Sequence, residues 1–76
     1  MKFKYVDKEK IDTWIYDRYK IIRWNYLKVG NVFKYDPHYK SYYDGYSISS
    51  NNYKELEQAI NACKTHYETE VIYDEN

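Results

Sequence analysis

The segment over residues 52–67 constrains the fold most, because its hydrophobic period is unambiguous. Its apolar residues recur at helical spacing, at Leu56, Ala59, Ile60, Cys63 and Tyr67. This spacing places them on one stripe of an α-helix whose other side is polar. Asn52 followed by Glu55 predicts a capping box at the start of that helix. We therefore expect an amphipathic helix over residues 52–67, followed by an acidic tail over residues 68–76.

The part of the chain before this helix has the composition of a β-sheet, since tyrosine, tryptophan, isoleucine and valine are frequent in it. Residues 1–6 alternate in the manner of an edge strand, where lysines discourage unwanted pairing. Gly30-Asn31 and Asp44-Gly45 each predict a two-residue hairpin turn. We expect the hairpins of the sheet over residues 16–49, with one strand ending at residues 36–38 because proline cannot donate to a ladder.

Two segments of the chain before residue 30 have apolar residues at helical spacing. Residues 8–14 predict a short helix, because Asp7 can cap it and Ile11, Trp14 and Ile15 have helical spacing. Residues 15–29 fit either the continuation of a helix or a strand whose alternation shifts by one residue, as at a β-bulge. The β-branched and aromatic content favours the strand.

These elements together predict one α+β domain over residues 1–76, a small and mostly antiparallel sheet packed against one C-terminal helix, with a short N-terminal helix. Aromatic residues make up 21% of the chain and 12 of them are tyrosines. So small a domain buries a limited share of its surface. We therefore expect a core built from rings, and some tyrosines exposed, where they are typical of interfaces.

The net charge is zero, but the two halves of the chain carry opposite charges. Residues 1–34 contain nine basic and four acidic side chains, a balance of +5, whereas residues 35–76 contain three basic and eight acidic ones, a balance of −5. This asymmetry is compatible with a dipolar surface that faces a partner, or with two halves that neutralise each other in the fold.

No pattern in the sequence predicts a catalytic, metal or cofactor site. Cys63 is the only cysteine and falls on the apolar stripe, where a buried thiol is the usual occupant. Cys63, His66 and His38 do not make up the four ligands of a structural zinc site. Neither a signal peptide nor a membrane span of about 18 apolar residues is evident. We therefore expect a cytoplasmic protein without a membrane partner.

The best candidate binding surface is a run of tyrosines between the predicted turns. Its members are Tyr35, Tyr39, Tyr42, Tyr43 and Tyr46. Lys40 is the one cation among them, while Asp36 and Asp44 are anions, which favours a protein partner over nucleic acid. The alternative is that these rings merely line the sheet.

A second hypothesis assigns the chain to the small nucleic-acid-binding modules, with the basic N-terminal half as the contact surface. The residues that would make this contact are Lys2, Lys4, Lys8, Lys10, Arg18, Lys20 and Arg23. Binding that weakens steeply as salt rises would favour this hypothesis over a protein partner.

The order of strand, hairpin, YSISS and the capped segment YKELEQAINACKTHY resembles the small sheet-plus-helix accessory proteins of bacteriophages and mobile elements. The composition, rich in Lys, Asn, Tyr and Ile, is similar to that of proteins from AT-rich phage genomes. The resemblance covers residues 16–67 and implies a non-enzymatic anti-defence protein, of the anti-CRISPR or anti-restriction kind, that inhibits a host protein in the host cytoplasm. It carries over no functional residues, and a homo-oligomer is compatible with it.

Overall fold

The computed structural model describes residues 1–72 and consists of one antiparallel sheet covered on one side by a helix. The elements are β1 Lys4–Lys8, β2 Ile11–Tyr16, β3 Tyr19–Val29, β4 Val32–Tyr43, β5 Tyr46–Ser47 and α1 Leu56–His66, followed by a π-helical turn at Tyr67–Val71. The five strands pair in sequence order, so the sheet is a meander. The predicted α+β class, with an antiparallel sheet and one C-terminal helix, is confirmed.

Tight turns produce this meander. The predicted turns at Gly30-Asn31 and Asp44-Gly45 are confirmed, since Val29 pairs with Val32 and Tyr43 pairs with Tyr46. Asp44 and Gly45 both have positive φ, at 52° and 85°. Glycine and aspartate tolerate that left-handed conformation, which matches the twist of the flanking strands.

The predicted helix over residues 8–14 is wrong, because this segment forms the turn between β1 and β2 and the start of β2. Trp14 pairs with Tyr5 across the β1–β2 ladder, and their rings lie 5.4 Å apart. The helical spacing of Ile11, Trp14 and Ile15 covers barely one turn. An isolated helix that short is unstable. Cross-strand packing of β-branched and aromatic side chains therefore decides the conformation.

The strand interpretation is confirmed for residues 19–29, which form β3, whereas residues 15–16 end β2 and residues 17–18 form a turn. The predicted shift of alternation within this segment does not occur, and the predicted strand end at residues 36–38 is wrong. β4 continues through Pro37, where the register shifts: Trp24 pairs with His38 and Tyr26 with Tyr35. Two β4 residues, Asp36 and Pro37, therefore lie opposite one β3 residue. A bulge of this kind accommodates proline, because the ladder there requires no backbone donor.

The C-terminal helix is confirmed, but it begins later than residue 52. Residues 52–54 remain outside it, and Tyr53 forms a bridge with Tyr39. The capping box consists of Glu55 and Gln58, not of Asn52 and Glu55. The expected acidic tail over residues 68–76 is helical as far as Ile72, and residues 73–76 lie outside the described part of the chain.

The core lies between α1, the start of β3 and the end of β4. Its buried apolar side chains are those of Tyr19, Ile21, Ala59 and Cys63. Ser41, buried on β4, donates its hydroxyl hydrogen to the Ala59 carbonyl at 2.8 Å, so the helix is attached to the sheet by a buried hydrogen bond. Leu56 and Ile60 complete the contact from partly exposed positions.

Candidate binding surfaces

The β3–β4 hairpin extends well beyond the rest of the sheet. We call residues 26–35, beyond the bulge, the hairpin arm. β2 pairs with β3 only as far as Ile22, and β5 pairs with β4 only at Tyr42 and Tyr43. Within the described residues, the arm therefore has no neighbouring strand on either edge. The molecule is elongated, with principal dimensions of 46 × 26 × 19 Å.

The arm exposes large apolar side chains in both of its strands. Tyr26, Val29, Val32, Phe33 and Tyr35 are each 58–68% exposed. Their observed contacts are local: the Tyr26 and Tyr35 rings meet edge to face with centroids 5.6 Å apart, and the Lys28 ammonium lies 5.9 Å from the Phe33 ring centroid. Exposed rings at this density are typical of protein interfaces.

A groove of about 510 Å³ lies at the base of the arm, beside the first residues of β2, where the edge of β3 becomes free. Trp24, Tyr26 and Phe33 supply its apolar lining, and Asp12 and Arg23 lie at its polar end. The Arg23 guanidinium is 4.0 Å from the Asp12 carboxylate, so these two charges partly compensate each other.

The side of the sheet opposite α1 has a different character, and we call it the open face. Alternation along the four long strands places on it Lys4, Val6, Lys8, Ile11, Thr13, Ile15, Lys20, Ile22, Trp24, His38, Lys40 and Tyr42. None of these strand residues is an aspartate or glutamate. The open face is therefore cationic at its lysines and apolar between them.

Side-chain contacts confirm the membership of the open face. The Trp24 indole N–H on β3 donates to the Tyr42 hydroxyl on the neighbouring strand β4 at 3.2 Å. His38 is buried, and its Nδ1 lies 2.6 Å from the Asp36 carbonyl, to which it donates. Thr13 is buried in the centre of the face although no helix covers it, because its isoleucine and lysine neighbours enclose it.

The five tyrosines predicted as one binding surface do not lie together. Tyr39 and Tyr43 pack against the core on the helix side, and Tyr42 lies on the open face. Tyr35 belongs to the arm, and Tyr46 is 80% exposed on the short edge strand β5. A run of tyrosines along one strand alternates between faces, so proximity in sequence did not imply one surface.

The basic residues predicted to contact nucleic acid also divide between locations. Lys4, Lys8 and Lys20 lie on the open face. Lys2 is exposed before β1 and Lys10 lies in the first turn. Arg23 belongs to the groove at the base of the arm. Arg18 is engaged within the fold: it pairs with Asp44 at 2.7 Å and lies 5.4 Å from the Tyr43 ring centroid.

Sequence reasoning missed four residues that contribute to these surfaces. Lys40 and Trp24 lie on the open face, and Tyr26 and Phe33 lie on the arm. The signal that could have found Trp24 and Tyr26 was the alternation in β3, where one side of the strand holds Lys20, Ile22, Trp24, Tyr26 and Lys28. Lys40 and Phe33 lie on β4 opposite this row. To interpret this alternation, one has to know where the pairing of β2 with β3 stops, because beyond that point β3 has no neighbour on this edge.

Chemistry-bearing side chains elsewhere have structural environments. Burial raises the pKa of the Cys63 thiol, which opposes formation of a nucleophilic thiolate. Among residues 1–72, no three His, Cys, Asp or Glu side chains are grouped in a way that could hold a metal ion. No helix in this described part is long and apolar enough to cross a membrane.

Comparison of the chain with protein-family models, with curated proteins and with solved structures finds no match. The two surfaces therefore have to be interpreted from their own geometry.

Proposed function

We propose that this chain is a non-enzymatic binding protein that engages a partner protein through the hairpin arm. The observation that carries the proposal is the exposure of Tyr26, Phe33 and Tyr35 on a ribbon with two free edges. Burying such rings against a partner supplies about 25 cal/mol per Å² of apolar area removed from water. Interfaces concentrate their binding energy in aromatic anchors of this kind.

The free edge of β3 supports a specific mode of contact. A partner segment in extended conformation can pair with an exposed strand edge through main-chain hydrogen bonds, while pockets beside the edge receive its side chains. Beside this edge lies the groove lined by Trp24, Tyr26 and Phe33. The groove would therefore receive an apolar side chain of the partner.

The acidic side chains near these surfaces support binding over catalysis. Asp36 is engaged by Lys54 at 2.6 Å, Asp44 by Arg18, and Asp12 accepts a hydrogen bond from the Tyr5 hydroxyl. A general acid or base needs a pocket in which it can reach a substrate proton. These carboxylates instead join neighbouring elements of the fold.

The class of partner is proposed on the resemblance to phage-encoded accessory proteins alone. On that basis the partner is a host defence protein, which the chain would inhibit by occupying its surface in the host cytoplasm. The exposed arm is compatible with this role, since an inhibitor of this class acts by contact.

The test uses the purified chain immobilised as bait in a lysate of a bacterial host, with mass spectrometry of the captured proteins. Phe33→Ser and Tyr35→Ser should lose the partner, because each removes an exposed ring of the arm. Tyr46→Ser is the matched control, since it removes an even more exposed ring outside the arm and should retain the partner. Undiminished capture by both arm variants would refute the proposal.

A further inference from the structure

The open face combines positive charge and apolar surface in an ordered arrangement. One cross-strand row runs from Lys4 through Ile15 and Lys20 to Tyr42. The next row runs from Val6 through Thr13 and Ile22 to Lys40. The lysines therefore surround an apolar centre, and Trp24 and Tyr42 form a hydrogen-bonded aromatic pair beside it.

The charges of this face are not neutralised by strand neighbours on the same side. The ion pairs observed in the described chain involve Arg18, Arg23 and Lys54, and none of these lies on the open face. Glu9, in the turn between β1 and β2, is the carboxylate at its border. The face thus presents Lys4, Lys8, Lys20 and Lys40 as a cationic set in a protein whose net charge is zero.

We propose that the open face is a binding site for single-stranded nucleic acid, a role beyond the protein binding proposed for the hairpin arm. The two sites adjoin at Trp24, which also lines the groove at the base of the arm. The lysines would contact phosphates, and bases would lie on the apolar centre and stack on Trp24. Proteins that bind single strands combine a positively charged track with rings on which bases stack. The charge of the face is complementary to such a polyanion and repels a cationic ligand.

The shape of the face favours a single strand over a duplex. It is the side of a sheet, with no helix on it, whereas sequence readers of a duplex insert a helix or ribbon into a groove. Four strands spaced at about 4.8 Å span roughly 14 Å, which suits a short stretch of unpaired nucleotides. An unpaired base exposes the flat surface that the Trp24 indole and the isoleucines can contact.

The main rival occupant is an acidic protein segment, which would also be attracted to the lysines. It offers carboxylates but no stacking bases. Two readouts separate the ligands: quenching of Trp24 fluorescence by a stacked base, and the slope of affinity against salt that counterion release from phosphates produces. The second tryptophan, Trp14, lies on the helix side of the sheet and provides an internal reference.

The experiment titrates the full chain with labelled oligo(dT) and oligo(rU) of about 12 nucleotides, a length within the range that single-strand sites occupy. Anisotropy should report binding that weakens as salt rises, and tryptophan emission should be quenched. The quench should disappear in Trp24→Phe. The double variant Lys20→Gln/Lys40→Gln should lower affinity by about tenfold and reduce the salt slope by about 1.4, since each phosphate contact of a single strand contributes about 0.7.

Lys64→Gln, on the exposed side of α1, is the matched control and should bind as wild type does. If the Lys20 and Lys40 double variant does not fold, Lys4→Gln/Lys8→Gln tests the same charge from the edge strand, where both side chains are exposed. Absence of binding to both oligonucleotides, an unchanged affinity in the folded lysine variants, or equal binding of poly-glutamate without quenching would each overturn the proposal. The last result would assign the face to an acidic protein.

Discussion

The two ends of the β3–β4 ladder contain the same kinds of side chain in opposite environments. At the end covered by the helix, Tyr19 and Ile21 are 2% and 0% exposed, because α1 lies over them. In the arm, Phe33 and Tyr35 are 68% and 63% exposed on strands that continue the same ladder. The difference lies in the cover and not in the residues, so residue type alone does not separate core from binding surface in this chain.

This contrast makes the energetic roles of the two ends separable. Side chains at the helix-covered end stabilise the fold by leaving water when the chain folds. Side chains of the arm remain in water after folding, so the same gain becomes accessible only when a partner covers them. Truncations at the helix-covered end should therefore lower the stability of the fold, and truncations in the arm should lower the affinity for a partner.

The largest expected effect is the loss of stability in Ile21→Ala. This side chain is fully buried between the sheet and α1, and truncation of a buried aliphatic residue costs about 2–5 kcal/mol. In a small domain that is a large part of the total stability. Chemical denaturation followed by circular dichroism measures it.

Val29→Ala is the matched control in the same strand, because Val29 is an exposed β-branched residue of the arm. Its unfolding free energy should stay within about 0.5 kcal/mol of wild type, as is usual for surface substitutions. Equal losses in Ile21→Ala and Val29→Ala would mean that the arm is covered in solution, and would break the comparison between the two ends.

Much of the fold was predictable from local signals. The turns at Gly30-Asn31 and Asp44-Gly45 followed from residue type, and the helix followed from its apolar stripe, although tertiary contacts shifted its start to Leu56. The segment over residues 8–14 was misassigned because three apolar residues fit both periods. Cross-strand pairing of Trp14 with Tyr5 in the β1–β2 hairpin decided between them.

The candidate surfaces were less predictable, for a different physical reason. The alternation of side chains along a strand indicates that Tyr42 and Tyr43 point to opposite sides of β4. It does not indicate which of the two sides α1 covers. Nor does the sequence indicate that the pairing of β2 with β3 stops at Ile22, which leaves the arm without a neighbouring strand. Both facts depend on how segments far apart in the chain pack together, so neighbouring tyrosines were assigned to one surface.

The second prediction separates two tyrosines of β4 that lie four residues apart. Tyr39 packs against the core, with its ring 5.6 Å from that of Trp14, whereas Tyr35 contacts a ring within the arm. Tyr39→Ala should therefore lower the unfolding free energy by roughly 1–3 kcal/mol, as expected for removal of a partly buried ring that packs against the core. Tyr35→Ala should leave it nearly unchanged. Thermal melts of the two variants measure the difference, and the reverse order would contradict the assignment of faces.

A smaller effect is expected when one hydrogen bond at the covered end is removed. The Tyr19 hydroxyl and His66 Nδ1 are 2.8 Å apart, and this contact links β3 to the end of α1. Burial raises the pKa of Tyr19 to about 12, so the hydroxyl stays protonated at neutral pH. Tyr19→Phe keeps the ring and removes the bond, which should cost about 1 kcal/mol. Tyr26→Phe in the arm is the control, and a loss of stability there as large as in Tyr19→Phe would contradict the comparison.

The smallest effect is expected at the junction of the two ends, where Asp36 of the bulge meets Lys54 before α1. Their charged atoms are 2.6 Å apart, and the hydrogen bond from Lys54 lowers the pKa of Asp36 below its ordinary value. A carboxylate with a lowered pKa in the folded state stabilises the fold above its unfolded pKa, and this contribution is lost as pH falls through the folded value. Both side chains contact solvent, so water and salt screen the pair and the effect is small. Asp36→Asn should therefore melt slightly below wild type at about pH 7, with the gap closing as the pH falls and the Asp36 carboxylate becomes protonated. Lys54→Gln should reproduce this pH profile, because it removes the same pair from the other side. A gap that persists unchanged at low pH in both variants would mean that Asp36 holds the bulge by its shape and not by its charge.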